Sequence, residues 1–185
     1  GGGSCHDCGK LVASKLGSKP LVICSTNAAT DAPCSALSIM YTPDGGYCGG
    51  VVYPRSPNVV VVDTAVIAKA GKRSLVSGFG DAMSTYYECR TVYENPAALT
   101  MCEARPTATA LAMGKLSSDL LYDNAFAAVD AVERKVPDDS LEKVVEANTL
   151  LSGLGFESGG LALSHAVAQA LSYVPSVHDK HMHGE

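Results

Sequence analysis

The feature that most constrains the fold is a change of pattern near residue 66. Before it, short β-branched runs at 20–24 and 58–63 are typical of buried strands, and two more strands flank the turn at 43–46. After it, amphipathic segments alternate with Pro-, Gly- or Asp-rich breaks and predict helices at 64–70, 73–90, 106–122, 124–134, 139–153 and 158–173. We therefore predict an α/β part over residues 1–66 and an all-helical domain over 67–185.

The chain opens on three glycines followed by a helical pattern that ends at Gly17. Glycines before a helix let the backbone approach a pyrophosphate, although residue 6 is His and breaks the G-x-G-x-x-G pattern, so a linker is the alternative. A phosphate-binding turn normally follows a strand, and the chain stops directly after Glu185. We expect both ends to be cut from a longer protein.

Composition excludes several classes of protein. Hydrophobic residues make up 46% and charged residues 18%, which is typical of a globular chain, and the net charge of -5 argues against nucleic-acid or anionic-membrane partners. No apolar run approaches the roughly 18 residues of a membrane span. Seven scattered cysteines do not suggest a disulfide framework and favour the cytoplasm, and the Cys5–Cys8 pair lacks the second pair of a zinc site.

A polar loop follows the strand at 20–24. Ligands of open α/β sheets bind beyond the carboxyl ends of strands, so Thr26, Asp31 and Ser35 are placed to contact one. Asp31 precedes Ala32-Pro33 and is equally well explained as a helix N-cap.

Three further side chains are candidate metal ligands. Asp81 lies behind two glycines, early in a predicted helix, where a carboxylate can also serve as a dipole partner. His165 lies in a segment that is apolar nearly all round, so we expect it to be buried, and His183 follows a break at Pro175. One carboxylate and two imidazoles would leave an open position on a catalytic Zn²⁺, with His178 and His181 as solvated neighbours.

Five ordered stretches together resemble glycerol dehydrogenases of the iron-containing alcohol dehydrogenase superfamily: GGGSCHDCGK, ATDAPCSALSIMYT, LVSGFGDAMSTYYE, VEANTLLSGLGFESGGLALSHA and HMHGE. The resemblance implies the dehydroquinate synthase-like fold, with an α/β nucleotide-binding domain, here incomplete, and a helical metal-binding domain, here truncated at its C-terminus. It also implies that NAD and a divalent metal lie between the two, in a homo-oligomer.

The resemblance assigns roles residue by residue. Asp81, His165 and His183 would hold the metal, and Asp31 would contact the polyol hydroxyls, so these four form the catalytic set. The cofactor would contact Gly2, Gly3, Ser4, Thr26, Ser35, Leu37 and Tyr41. Thr85 stands where iron-dependent relatives carry a fourth ligand, which favours Zn²⁺ over Fe²⁺. Family members commonly differ at three positions, with Lys in place of Ser4, Ser in place of Ala29 and His in place of Ala168.

The expected reaction is reversible NAD-dependent oxidation of glycerol to dihydroxyacetone, with Zn²⁺ as the Lewis acid that activates the hydroxyl. One alternative is another enzyme of the same fold that acts on a polyol, a polyol phosphate or a dehydroquinate-type substrate. An anionic substrate would need cations, and the motifs offer only Lys10 and Lys180. The other alternative is that the 185 residues bind metal without turnover.

Overall fold

The computed structural model describes all 185 residues. The first 62 residues contain helix α1 and four strands: α1 (Gly3–Lys15), β1 (Val22–Ser25), β2 (Leu37–Tyr41), β3 (Tyr47–Val52) and β4 (Val59–Val62). Helices alone follow: α2 (Thr64–Ile67), α3 (Lys72–Glu94), α4 (Ala108–Arg134), α5 (Asp139–Glu146), a π-helical turn (Ala147–Leu151), α6 (Ser152–Gly159), α7 (Leu163–Leu171) and α8 (Pro175–His178). The predicted change from mixed structure to helices is confirmed, while a domain boundary at residue 66 stays a prediction.

The strands form two small sheets. β1 pairs in parallel with β4, and β2 pairs with β3 in an antiparallel hairpin whose register shifts between Ile39 and Tyr41. The segments 20–24 and 58–63 contain strands as predicted, but the prediction that these strands are buried is wrong. β1 alternates between exposed and buried residues, and Val59 and Val61 of β4 are 49% and 45% exposed. Side chains of a strand point to the two faces of the sheet, and four of the five valines of β1 and β4 are exposed there.

The helical core lies between α3, α4 and α5. Small and branched side chains fill it, including Ala82 of α3, Leu121 and Ala128 of α4, and Leu141 and Val144 of α5. Thr107 begins α4 by accepting a hydrogen bond from the Ala110 N–H, and Asp138 begins α5 in the same way. This core holds α3 fixed, and α3 carries most of the site described below.

The largest differences from the predicted helices are found in α4, in α5 with its continuation, and in α7. α4 is one helix rather than two, because the polar residues at 123–124 cost only tenths of a kcal/mol in a helix that packs along its length. The helix predicted at 139–153 continues to Gly159 through the π-helical turn. α7 begins only at Leu163, because Gly160 has a φ of 89°, which breaks the helix before it.

The burial predicted for His165 holds for its side chain but not for the helix that carries it. No residue of α7 is buried, and Leu163 and Val167 are 74% and 47% exposed. Only the side chain of His165 is covered, with 14% of it exposed, because it points at α3. No helix of the structure combines the length and apolar character needed to cross a bilayer.

Candidate metal centre

The face of α3 that meets α6 and α7 carries a row of buried polar side chains, which Ser77 begins one turn before Asp81. Asp81, Thr85 and Glu88 follow each other at intervals of four and three residues, which places them one above the other on the helix. Asp81 lies more than two turns after the start of α3 at Lys72, so the interpretation of Asp81 as a dipole partner is wrong. A 5% exposed carboxylate in mid-helix needs another partner.

The structure brings the three predicted ligands together. Nε2 of His165 lies 3.4 Å from Oδ1 of Asp81, and Nε2 of His183 lies 3.7 Å from the same oxygen. One donor atom from each residue falls within 4.8 Å of the others. His178 and His181 lie outside this group and are exposed, as expected.

Glycines allow the tail with His183 to cross α3. A Cβ at Gly80 would lie 3.0 Å from the carbonyl carbon of Gly184, and a Cβ at Gly184 would lie 2.9 Å from the amide nitrogen of Asp81. The Gly184 N–H donates to Oγ of Ser77 at 3.2 Å. The two backbones can approach this closely only because neither glycine carries a side chain.

An ion pair holds the end of the tail. Nε and Nη2 of Arg73 donate to the two carboxylate oxygens of Glu185 at 2.6 and 2.7 Å, and Nη2 also donates to the carbonyl of Lys180. Arg73 belongs to the first turn of α3, so the same helix that carries Asp81 also fixes the segment with His183.

Glu88 orients His165 from the other side of the ring. Its Oε2 lies 2.5 Å from Nδ1 of His165, and its Oε1 accepts the backbone N–H groups of Ala162 and His165 at 3.0 Å each. Sequence reasoning missed this residue. The signal was present, because Glu88 lies seven residues after Asp81 in a predicted helix and must share its face.

The centre stabilises positive charge. Burial alone would raise the pKa of Asp81, but the hydrogen bond from His165 and the charges of His183 and His165 hold it below its ordinary value. Burial would lower the pKa of His165, yet hydrogen bonds to Asp81 and Glu88 raise it to about 10. Burial would raise the pKa of Glu88, but the hydrogen bonds from His165 and Ala162 hold it below its ordinary value. Two carboxylates therefore surround the His165 ring and favour a cation, whether a proton or a metal.

Asp31 is linked to the centre by hydroxyl groups. Oγ of Ser152 donates to its Oδ2 at 2.7 Å, Thr85 Oγ1 lies 2.9 Å from that Oγ, and Thr85 also donates to the carbonyl of Asp81 at 3.3 Å. The N-cap interpretation of Asp31 is wrong, since only a turn follows at 32–34. Burial, followed by the negative charge of Asp81, raises the pKa of Asp31 to about 8.

The glycines at the start of the chain lie beside the loop after β1. The N–H of Thr26 donates to the carbonyl of Gly1, and a Cβ at Gly2 or Gly3 would lie 3.1 Å from Nδ2 of Asn27 or 3.0 Å from Cγ2 of Thr30. α1 starts at Gly3 with no side-chain cap, so its first N–H groups, including that of Ser4, lack a helical partner. Such a helix end suits an anionic group.

Lys10 organises the other predicted cofactor residues. Its buried Nζ pairs with Asp7 at 2.8 Å and donates to both oxygens of Ser35 and to the carbonyl of Leu37. Ser35 and Leu37 are buried, whereas Tyr41 at the end of β2 is 47% exposed. The Ser35 hydroxyl is thus committed to the protein interior, and Tyr41 and the exposed Thr26 are the more accessible members of the set.

Comparison with known proteins first defines the class. No protein-family model matches the chain. An iron-containing alcohol dehydrogenase from Thermotoga maritima superposes with a TM-score of 0.69 at 19% identity, over all of this chain and 50% of that structure. The chain therefore shares the fold of about half of that structure.

Closer relatives narrow the class. A glycerol dehydrogenase from Thermotoga maritima is 48% identical over 185 residues, which are 100% of this chain and 50% of that protein. The structure of a probable glycerol dehydrogenase from Sinorhizobium meliloti superposes with a TM-score of 0.93 at 40% identity, over 99% of this chain and 51% of that one. The chain is a homologue of the glycerol dehydrogenases and spans about half the length of the curated relatives it matches.

Proposed function

We propose that the chain carries the metal centre and the pyrophosphate side of the cofactor site of an NAD-dependent glycerol dehydrogenase. Residues 1–66 would belong to the nucleotide-binding domain and residues 67–185 to the metal-binding domain. The proposal rests on one observation above all, the convergence of Asp81, His165 and His183 to within 4.8 Å in a homologue of the glycerol dehydrogenases.

The donor set favours zinc. A carboxylate and two imidazoles are ordinary Zn²⁺ ligands, and catalytic zinc sites keep three protein ligands and one open position. Thr85, at the place of a fourth ligand in iron-dependent relatives, directs its hydroxyl to Ser152 and the Asp81 carbonyl. It is therefore engaged within the protein rather than available to an ion.

Different residues of the chain would bind the metal, the polyol and the cofactor. When bound, the metal supplies Lewis-acid polarisation of a hydroxyl and NAD supplies the hydride acceptor. Asp81, His165 and His183 would hold the metal. Asp31, the fourth member of the catalytic set, would orient the polyol by contacting the hydroxyl groups of the polyol. The uncapped N–H groups at Gly3 and Ser4 would face the pyrophosphate, with Gly2 leaving room for it.

Metal analysis tests the centre directly. We expect the purified chain to bind Zn²⁺, and expect Asp81→Asn and His165→Ala to lose it. His178→Ala is the matched control, because it removes an imidazole of the same tail that lies outside the donor set. Zinc retained at wild-type affinity in both site variants would show that the ion binds elsewhere.

Turnover tests the substrate. Glycerol should support NADH formation better than glycerol phosphate, because Lys10, one of only two candidate cations, is buried and bound to five oxygen atoms. Equal or better use of the phosphate would favour the polyol-phosphate alternative. The assay should compare the 185 residues with a chain extended to the length of its relatives. Turnover by the extended chain alone would support the interpretation of these residues as a metal-binding part without activity of its own.

A further inference from the structure

Glu88 is a buried carboxylate that is not itself a proposed metal ligand. It lies directly against one, His165. It is 3% exposed, it belongs to α3, and both its oxygens are engaged by α7. Oε2 contacts Nδ1 of His165, while Oε1 accepts the N–H groups of Ala162 and His165. A single side chain therefore holds both the backbone and the ring of His165.

The backbone contacts matter because α7 has little else to fix its start. The helix has no buried residue, and its N-cap, Ala162, offers no side-chain hydrogen bond. Glu88 supplies the missing acceptor from a neighbouring helix and places a negative charge at the positive end of the α7 dipole. Because α3 is fixed by the helical core, Glu88 transmits that rigidity to His165.

The ring contact decides which nitrogen faces the centre. A carboxylate at Nδ1 requires the proton of a neutral imidazole to lie on Nδ1, which leaves the lone pair on Nε2. Nε2 is the atom that lies 3.4 Å from Asp81. Glu88 thus selects the tautomer in which His165 can bind a metal on the side of Asp81 and His183.

We propose that Glu88 is the positioning residue that makes His165 a metal ligand, by fixing its ring, its tautomer and the start of α7. This inference rests on the metal centre under Proposed function and deepens it. Among the proposed ligands Glu88 contacts His165 alone, since its oxygens are occupied by Ala162 and His165 and it lies on the Nδ1 side of the ring.

Glu88→Gln separates this role from volume. A carboxylate accepts all three N–H groups, whereas an amide accepts at one end and donates at the other. Whichever way Gln turns, it either donates to Nδ1 and selects the wrong tautomer or faces two backbone N–H groups with its own. We expect Zn²⁺ affinity, measured by competition with a chromophoric chelator, to fall about 10–100-fold.

The absorption spectrum of bound Co²⁺ provides a readout that a purely structural role would not change. It should shift in Glu88→Gln, because the coordination of His165 changes. Glu157→Gln is the matched control, since Oε1 of Glu157 also accepts a backbone N–H, that of Ala36 at 2.7 Å, but contacts no proposed ligand. Its Zn²⁺ affinity and Co²⁺ spectrum should equal those of the wild type.

The outcomes separate the two proposals. Wild-type protein that binds no Zn²⁺ would overturn both the metal centre and the role of Glu88. Wild-type protein that binds Zn²⁺, together with a Glu88→Gln variant of equal affinity and spectrum, would overturn only the role of Glu88. If Gln disturbs folding, Glu88→Asp decides, because it keeps the charge and withdraws the oxygens by one methylene. Unchanged affinity in that variant would also overturn the inference.

Discussion

The crossing of the tail over α3 makes Gly184→Ala the sharpest test of the site geometry. A Cβ at Gly184 would lie 2.8 Å from the carbonyl carbon of Ser77 and 2.9 Å from the amide nitrogen of Asp81, while ordinary contacts begin at 3.4 Å. Both atoms belong to the backbone of a packed helix and cannot yield. The tail must therefore move away by at least about 0.6 Å, a distance set by the contact limit.

That displacement is large for a metal ligand. Distances from ligand atoms to a metal are held within about 0.2 Å, so a shift of the residue next to His183 would remove that imidazole from the set. Changes that only misorient a ligand cost about 10–100-fold in affinity, and we expect the upper end here, about 100-fold or about 2.8 kcal/mol. Unfolding of the metal-free chain should barely change, because the tail buries little surface.

Competition with a chelator measures the loss of Zn²⁺ affinity. A double-mutant cycle shows whether that loss comes from displacement of His183. Gly184→Ala should cost nothing further in a His183→Ala background, because the ligand it displaces is already absent. Gly80→Ala should reproduce the loss from the helix side. Gly9→Ala is the matched control, since its Cβ would meet only Leu21 Cδ1 at 3.9 Å. Wild-type affinity in Gly184→Ala would refute the argument, as would an equal loss in both backgrounds.

Three other predictions follow from separate features. Lys10→Met should lower the free energy of unfolding in urea by about 3–5 kcal/mol, because it leaves Asp7 largely buried without its partner. Thiol labelling of the native chain should modify five cysteines quickly. The other two, Cys34 and Cys89, should react only after denaturation. Burial raises the pKa of both thiols, that of Cys34 to about 12, and so keeps them protonated. Arg73→Gln should weaken Zn²⁺ binding several-fold without shifting the thermal midpoint, because its exposed pair with Glu185 positions the tail and adds little stability.

Periodicity predicted the elements of this fold better than their surroundings. The valines at 59–62 have the composition of a buried strand, but burial depends on which elements cover the sheet, and a local pattern does not contain that information. The polar residues at 123–124 suggested a break that helix packing overrides. In both cases the error came from inferring tertiary contacts from local sequence.

The site shows the same limit in a different form. Residue types and motif resemblance both pointed to Asp81, His165 and His183, yet nothing local to any of the three shows how their side chains come together. Their meeting depends on backbone approach at Gly80 and Gly184, which leaves no periodic signal. Glu88 could have been found from its helical spacing to Asp81, because both residues fall within the helix predicted at 73–90.

Helix α3 explains why residues so distant in the chain can form one centre. It contributes Asp81 directly, holds His165 through Glu88, and holds the His183 segment through Arg73 and the glycine crossing. α7, which carries His165, and residues 181–185, which carry His183, contain no buried residue, so the position of each imidazole is set by α3 rather than by its own segment. Changes at the contacts of α3 with α7 and the tail should therefore affect metal binding more than stability, whereas changes in the core beneath α3 should affect both.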